Sequence, residues 1–351
     1  MCQGHMHEFL QALPKCEHHM HLEGSLEPSL LFDLAARNNI SLPSVEEDPS
    51  FESIDTLLAR YRRFTSLDDF LHYYFIGMSV LITSGDFEAL AYEYFRRAHG
   101  DGVVHAEVFF DPQAHTVRGV RYGDIVDGFT AAQKRAKADW GITSELIVCV
   151  LRHLPVEDGA RMYRDAIPNL ESGVIKGLGL SSTEKGNPPH LYRDIYADAL
   201  TRGFNRTAHA GEEAGVDYMA SAVHDLNVTR VDHGIKLTED ENVMRLFADR
   251  NIMVTMCPLS NVELRCVSHV RDLPIRTYLD NGVRFSINSD DPAYFGGYIL
   301  DNHCAVQDAF GLDKKDWEKI VGHAIEGSWC SDERKGELRK HLAEVMVRFQ
   351  D

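Results

Sequence analysis

Residues 14–24 read PKCEHHMHLEG, a short β-prone run that breaks off into imidazoles and a carboxylate. In a strand, side chains two apart share a face. His19 and His21 therefore point the same way, and His18 belongs to the opposite face, where it reads as structural. A strand that ends in chemistry-bearing side chains fits the C-terminal rim of a parallel barrel, where such folds place catalytic groups. Working outward, β-prone runs recur at 15–21, 103–110, 145–151, 174–180, 207–210, 230–233, 252–256 and 283–287. Helical periodicity fills the gaps, as at 88–99 (EALAYEYFRRAH), 123–138 and 239–250. Alternating strands and helices define an α/β chain with a parallel sheet. Eight such units predict a closed (β/α)8 TIM barrel rather than an open sheet.

The gap at 24–102 is too long for one crossover helix. Its apolar stretches 54–64 (IDTLLARYRRF) and 67–82 (LDDFLHYYFIGMSVLI) predict an inserted helical layer after the first strand. The insertion is expected to lie over the C-terminal mouth as a lid; the plainer alternative is a cap on the barrel bottom. From Lys314 onward the chain reads as closing helices. Pro112, Pro155, Pro188, Pro189, Pro258 and Pro292 fall at or just after strand ends, and no flexible linker interrupts the chain, so 1–351 is read as a single domain.

The charge excludes some partners. The 36 basic and 54 acidic residues leave a formal net charge of −18. Binding to a duplex is largely phosphate neutralisation, so no nucleic-acid partner is expected. No apolar run approaches the ~20 residues that span a bilayer, so no membrane partner is expected either. The start of the chain lacks a signal-peptide pattern. Seven scattered cysteines without a CxxC pair fit a reducing compartment, so a cytoplasmic location, with the nucleus as an additional one, is expected.

The informative fact is where His, Asp and Glu fall. His19 and His21 end the first strand, His209 ends the fifth in HAGEE, and Asp290 follows the eighth in SINSDDP. Three imidazoles and a carboxylate suit one Zn2+ with an open position for water. Glu212, three residues after His209, is placed as an acid/base, and His233 in VDHG ends the sixth strand. Asp291 lies beside the last ligand. Taken singly, each has a bland reading: an HxH in a strand is usually no site, paired Asp residues are usually a solvated turn, and Glu212 fits the first turn of a helix. The N-terminal His5-Met6-His7 has the same spacing as His19 and His21, but is read as a frayed end with nothing after it to build a site. Joint occurrence at strands one, five, six and eight outweighs the bland readings.

The segments PKCEHHMHLEGSL (14–26), HAGEE (209–213), DHG (232–234), CPLSN (257–261) and SINSDDP (286–292) resemble the adenosine/adenine deaminase family of the metal-dependent amidohydrolases. VFFDPQAHT (108–116) and SSTEKGNPP (181–189) are similar to its adenine deaminase branch, in fungal and bacterial forms. The resemblance implies hydrolytic deamination of adenine to hypoxanthine and ammonia. It implies zinc on His19, His21, His209 and Asp290, with hydroxide on the metal attacking C6. Glu212 would protonate N1, His233 would orient the attacking oxygen, and Asp291 would bond near N7. Asp111 and Glu23 would help bind the base. Glu184 stands where nucleoside-acting relatives usually have Gly, so it is expected to accept N9–H and to exclude ribose.

One departure is Ser181, where the branch typically carries Asp. It leaves N6-methyl or isopentenyl adenine open as alternative substrates, with adenosine and a non-catalytic barrel as remoter readings. A two-metal amidohydrolase would need a carboxylated lysine, for which Lys176 is the candidate. The cytidine-deaminase type needs an H-x-E followed by P-C-x-x-C, and Cys257-Pro258 reverses that order.

Overall fold

A computed structural model describes Cys2 and residues 4–350. Eight parallel strands are hydrogen-bonded in chain order: β1 Lys15–Glu17, β2 Val103–Phe110, β3 Thr143–Leu151, β4 Gly177–Ser181, β5 Asn205–Ala210, β6 Arg230–His233, β7 Met253–Met256 and β8 Phe285–Ile287. The ring closes just past the ends of β1 and β8. There His21 N donates to Asp290 O at 2.9 Å and Asp290 N to His19 O at 3.0 Å. The chain is thus a (β/α)8 barrel, as its alternation predicts.

β1 is shorter than the expected 15–21. Beyond Glu17 the backbone makes only single bridges, His21 with Phe109 of β2 and Met20 with Asp290. His18, as expected, faces away from the mouth, its ring nitrogens 3.2 Å from Ser286 Oγ and 2.8 Å from Ser328 Oγ. β4 begins three residues later than predicted. Val174, Ile175 and Lys176 belong to the turn before it, where Ile175 N donates to Asn169 O. The interior below the mouth is filled by buried side chains, including an ion pair between Arg230 Nη1 and Glu107 Oε2 at 2.5 Å.

Before β2 lie α1 His5–Ala12, α2 Pro28–Asn38, α3 Ile54–Tyr61, α4 Leu67–Met78 and α5 Ser84–Gly100. Ser53 caps α3 and Ser66 caps α4 through side-chain acceptance of first-turn N–H groups. The aromatic faces of α3 and α4 pack with Tyr294 and Phe295 into an apolar cluster separate from the main core. Two helices close the chain, Lys314–Gly327 and Asp332–Arg348. Among the described residues no helix is long and apolar enough to cross a membrane.

The N-terminal reading needs correction. His5 and His7 lie on α1, not in a frayed end, and a helical period of 3.6 sends residues two apart in different directions. The scattered cysteines also include a pair: Cys2 is disulfide-bonded to Cys304.

Candidate active site

Three strand ends share one local device. Asp111, Cys257 and Asp291 each precede a proline that opens a short helix, and their backbones are nearly identical: φ/ψ of −114/75, −124/80 and −115/75. Proline forbids helix in the residue before it and suits the first helical position. The chain therefore turns sharply at the rim and leaves Asp111 and Asp291 buried over the mouth. His233 and Asp290 have φ of 61° and 65°. Left-handed backbone costs an ordinary residue roughly 1–3 kcal/mol and recurs at functional sites. Gly24 lets Asp291 come close, since a Cβ there would sit 2.0 Å from Asp291 Oδ1.

The four expected ligands converge. One donor atom each from His19, His21, His209 and Asp290 lies within 4.8 Å of the others, all buried. His19 Nε2 is 3.2 Å from Asp290 Oδ1, His21 Nε2 is 3.6 Å from the same oxygen, and His21 Nε2 is 3.2 Å from His209 Nε2. Ligands around a tetrahedral ion with bonds of roughly 2.0–2.1 Å are separated by about 3.4 Å. His19 Nε2 has no hydrogen-bond partner although it is buried. Burial, then the neighbouring His209, push the His21 imidazole down to about 3, so it offers a lone pair. Burial alone would raise Asp290, but His19, His233 and His21 outweigh it and hold the carboxylate well below its ordinary range. The donor set, its spacing and its orphaned nitrogen fit a divalent metal.

Partners behind the ligands fix their ring orientations. His209 Nδ1 is 3.3 Å from Asp232 Oδ2. Asp232 Oδ1 accepts hydroxyls from Thr207 at 2.7 Å and Thr255 at 3.1 Å, and Thr255 Oγ1 is 3.0 Å from His19 Nδ1. Ser260 Oγ donates to Asp290 Oδ2 at 2.6 Å. Sequence reasoning gave none of these residues a role. Their signal was adjacency, since DHG and CPLSN contain two of them, Asp232 and Ser260, and each imidazole ligand needs a partner for its second nitrogen.

Glu212 and His233 stand beside the donor cluster, with His233 Nε2 3.4 Å from Glu212 Oε2 and 3.8 Å from Asp290 Oδ2. Asn261 Nδ2 donates to His233 Nδ1 at 3.2 Å. That contact occupies Nδ1 and leaves Nε2 facing Glu212 and Asp290. Burial raises Glu212 well above the usual carboxyl range, and the charges of Asp290, Glu184 and Glu213 raise it further. Burial and the charge of Asp290 do the same to Asp291, whose Oδ1 is buried and unpartnered.

These groups line a narrow cleft of about 40 Å³ at the barrel mouth. Polar lining comes from His21, Asp111, Ser181, Glu212, His233 and Asp291; α4 adds an apolar wall of Leu67, Phe70, Leu71, Tyr74 and Phe75. Ser181 replaces the expected carboxylate by donating its hydroxyl to Asp111 Oδ1 at 3.1 Å. Tyr74 OH donates to Asp111 Oδ2 at 3.3 Å.

Two expected base-binding residues lie elsewhere. Glu184 is fully buried, but outside the cleft lining. Its oxygens accept the backbone N–H groups of Glu212, Glu213 and Ala214 at 3.3, 3.2 and 2.8 Å. The turn after β5 presents three free N–H groups, and the carboxylate is drawn to them rather than to a ligand. Glu23 likewise sits behind the lining, accepting Asp111 N–H at 3.1 Å, with His115 Nε2 at 3.0 Å. Lys176, the lysine a two-metal site would need, is partly exposed and lies 4.0 Å from Glu145 Oε1, outside the donor cluster.

A parallel barrel with an imidazole–carboxylate donor set at its C-terminal mouth, beside a proton-bearing acid, defines an amidohydrolase-type enzyme. The adenosine deaminase family model matches residues 14–345. An adenine deaminase of Aspergillus oryzae is 53% identical over 350 residues, covering 99% of each chain. The crystal structure of an adenine deaminase from Arthrobacter aurescens superposes with a TM-score of 0.90 at 37% identity, covering 95% of this chain and 99% of that one. An amidohydrolase from Burkholderia ambifaria with bound zinc gives a TM-score of 0.88 at 27% identity, covering 99% and 94%. The chain belongs to the adenosine deaminase family.

Proposed function

We propose that this chain hydrolyses adenine, as the free base, to hypoxanthine and ammonia, with one zinc on His19, His21, His209 and Asp290. The observation that carries the reading is the pairing of Glu212 with His233 at 3.4 Å beside that donor cluster. Adenine deaminases about half identical over nearly the whole chain support the substrate. A bound zinc supplies a water whose pKa falls to about 7.

Water adds at C6 as N1 gains a proton, and the amino group departs as ammonia once protonated. Glu212, held neutral by burial, donates to N1, where negative charge would otherwise build. His233, through Nε2, hydrogen-bonds the attacking oxygen. Asp291, whose Oδ1 has no other partner, bonds the ring near N7. Asp111, whose Oδ2 lies 4.0 Å from His21 Nδ1, bounds the cleft together with Ser181. The α4 wall acts as the lid that excludes water once the base is in place. An acidic surface without basic runs favours a free base over one within a nucleic acid, and purine salvage fits a cytoplasmic enzyme.

The test is a side-by-side assay of adenine, adenosine, N6-methyladenine and N6-isopentenyladenine, following the ultraviolet change on deamination. Adenine turned over far faster than adenosine supports the reading. A zinc-loaded enzyme that leaves adenine untouched while acting on another of the four would overturn it.

A further inference from the structure

A second group of soft donors lies away from the barrel mouth, at the N-terminal helix. Cys2 and Cys304 are joined across 302 residues, and His7 of α1 faces both sulfurs. His7 Nδ1 lies 3.7 Å from Cys2 Sγ and 3.5 Å from Cys304 Sγ. Cys304 comes from the helix Ile299–Phe310 and is 1% exposed; Cys2 is 9% exposed. His7 is only partly covered, so the group opens to solvent on its imidazole side. All three donors fall within 4.8 Å of one another, the same closeness as the active-site ligands.

A disulfide needs only its two sulfurs. An imidazole nitrogen aimed at both has a use when they are thiols. Around a tetrahedral ion with bonds of about 2.3 Å to sulfur and about 2.0–2.1 Å to nitrogen, a sulfur and a nitrogen sit roughly 3.6 Å apart. The two N···S separations bracket that value, and reduction frees the sulfurs to part to the roughly 3.7 Å that two thiolates on one such ion require. Two thiolates and a neutral imidazole carry two negative charges, matching a divalent cation, and thiolates select soft ions.

We propose that Cys2, His7 and Cys304 form a redox-gated site for a thiophilic d10 cation, Zn2+ or Cu+, separate from the catalytic donors. In the closed state the sulfurs are bonded to each other and hold no ion. Two equivalents of a low-molecular-weight thiol reduce that bond, giving two protein thiols and one small disulfide. The cation then displaces both thiol protons and takes the two thiolates and His7 Nδ1 as ligands. A small disulfide reverses the exchange, re-forming the Cys2–Cys304 bond, releasing the ion and yielding two small thiols. In both states Cys2 is tied to the helix Ile299–Phe310; only the nature of the tie changes. The inference does not rest on the substrate proposed above.

The test uses the full chain, stripped of metal and titrated anaerobically with Zn2+ and with Cu+. Cd2+ serves as an optical probe, because its charge-transfer band reports thiolate ligation. Reduced protein should take one more equivalent per chain than protein oxidised with a small disulfide, and only the reduced form should show the cadmium–thiolate band. Cys304→Ser should abolish both the extra equivalent and the band while leaving turnover unchanged. His7→Gln should keep the band but weaken the site by about tenfold or more. The difference between reduced and oxidised protein reads this site whatever the catalytic site holds. The Zn2+ and Cu+ arms assign the ion by affinity. Equal stoichiometry in the two redox states, survival of the extra equivalent in Cys304→Ser, or a Cys2–Cys304 bond that small thiols cannot reduce would each overturn the proposal.

Discussion

Glu184 and Glu212 are joined through the main chain: a Glu184 oxygen accepts the backbone N–H of Glu212 at 3.3 Å, and its other oxygen takes the next two N–H groups. From the opposite side, Arg152 donates to the carbonyl of His209 at 2.7 Å and, through Nε and Nη2, to that of Asn187 at 2.9 and 2.6 Å. The turn that carries a metal donor and the neighbouring acid is thereby clamped from both ends. The charge of Glu184 also helps to keep Glu212 protonated. Glu184 thus serves Glu212 in two ways without lining the cleft.

Glu184→Ala should lower kcat by about 10–100-fold, the usual effect of losing a group that orients a functional residue, with bound zinc retained. Three N–H groups lose their acceptor, and each unsatisfied buried donor costs roughly 1–3 kcal/mol. Steady-state kinetics with metal analysis checks this. If Glu184 instead read the base directly, as its sequence position implied, KM for adenine would rise and kcat would hold.

Glu212→Gln should leave the metal in place and remove nearly all turnover. General acid/base groups are worth about 10²–10⁴-fold, and the amide keeps shape while losing the transferable proton. The same raised carboxyl sets the pH behaviour. Activity should fall on the alkaline side as Glu212 ionises, since the acid form is the one that donates. A variant with full zinc and near-normal kcat would remove Glu212 from the chemistry.

Asp232→Asn should weaken metal affinity by about 10–100-fold. The carboxylate faces His209 Nδ1 at 3.3 Å and collects two threonine hydroxyls, one of which reaches His19. One residue therefore orients two imidazoles. Competition with a chelator of known zinc affinity measures the loss. Metal stripping of the parent chain should lower its thermal midpoint, and in Asp232→Asn that drop should shrink, because less binding energy is lost.

The candidate donor cluster was legible because strand period and rim position need no tertiary knowledge: His19 and His21 are two apart, and His209 and Asp290, like His233 beside them, fall at or just past the ends of β-prone runs. β4 was misplaced for a physical reason. Its sequence, GLGLS, has low β propensity, whereas the apolar Val174 and Ile175 before it belong to a turn. Glycine is there to be approached, since a Cβ at Gly177 would lie 2.4 Å from Trp329 Cζ3. Glu184 was expected to meet the ligand; that it accepts backbone N–H groups of another loop was not legible, because main-chain donors leave no mark in a sequence. Asp232 was visible beside His233, but its role depends on the register that pairs it with His209 across β5 and β6. His7 was read as part of a frayed end with nothing after it to build a site, whereas it lies on α1 beside Cys304, 297 residues away in the chain.

Glu23 gives a pH test of the fold that avoids the reacting groups. Burial pushes its carboxyl from an ordinary 4.5 up to about 7. The native chain therefore keeps a proton between those values that the unfolded chain releases. Stability rises with pH only where the unfolded state holds more protons, and here the native state does. The contribution from this group is fully present below about pH 4.5 and is lost as pH climbs through about 7, amounting to no more than about 3 kcal/mol. Urea unfolding of the zinc-saturated enzyme at pH 5 and pH 8 measures the difference, and Glu23→Gln should reduce it by flattening this part of the profile. The glutamine can still receive a hydrogen bond from the Asp111 N–H, so the contact is preserved while the titration is removed. An unchanged pH profile in Glu23→Gln would mean that Glu23 is already ionised at pH 5, and that His115, 3.0 Å away, carries a compensating proton.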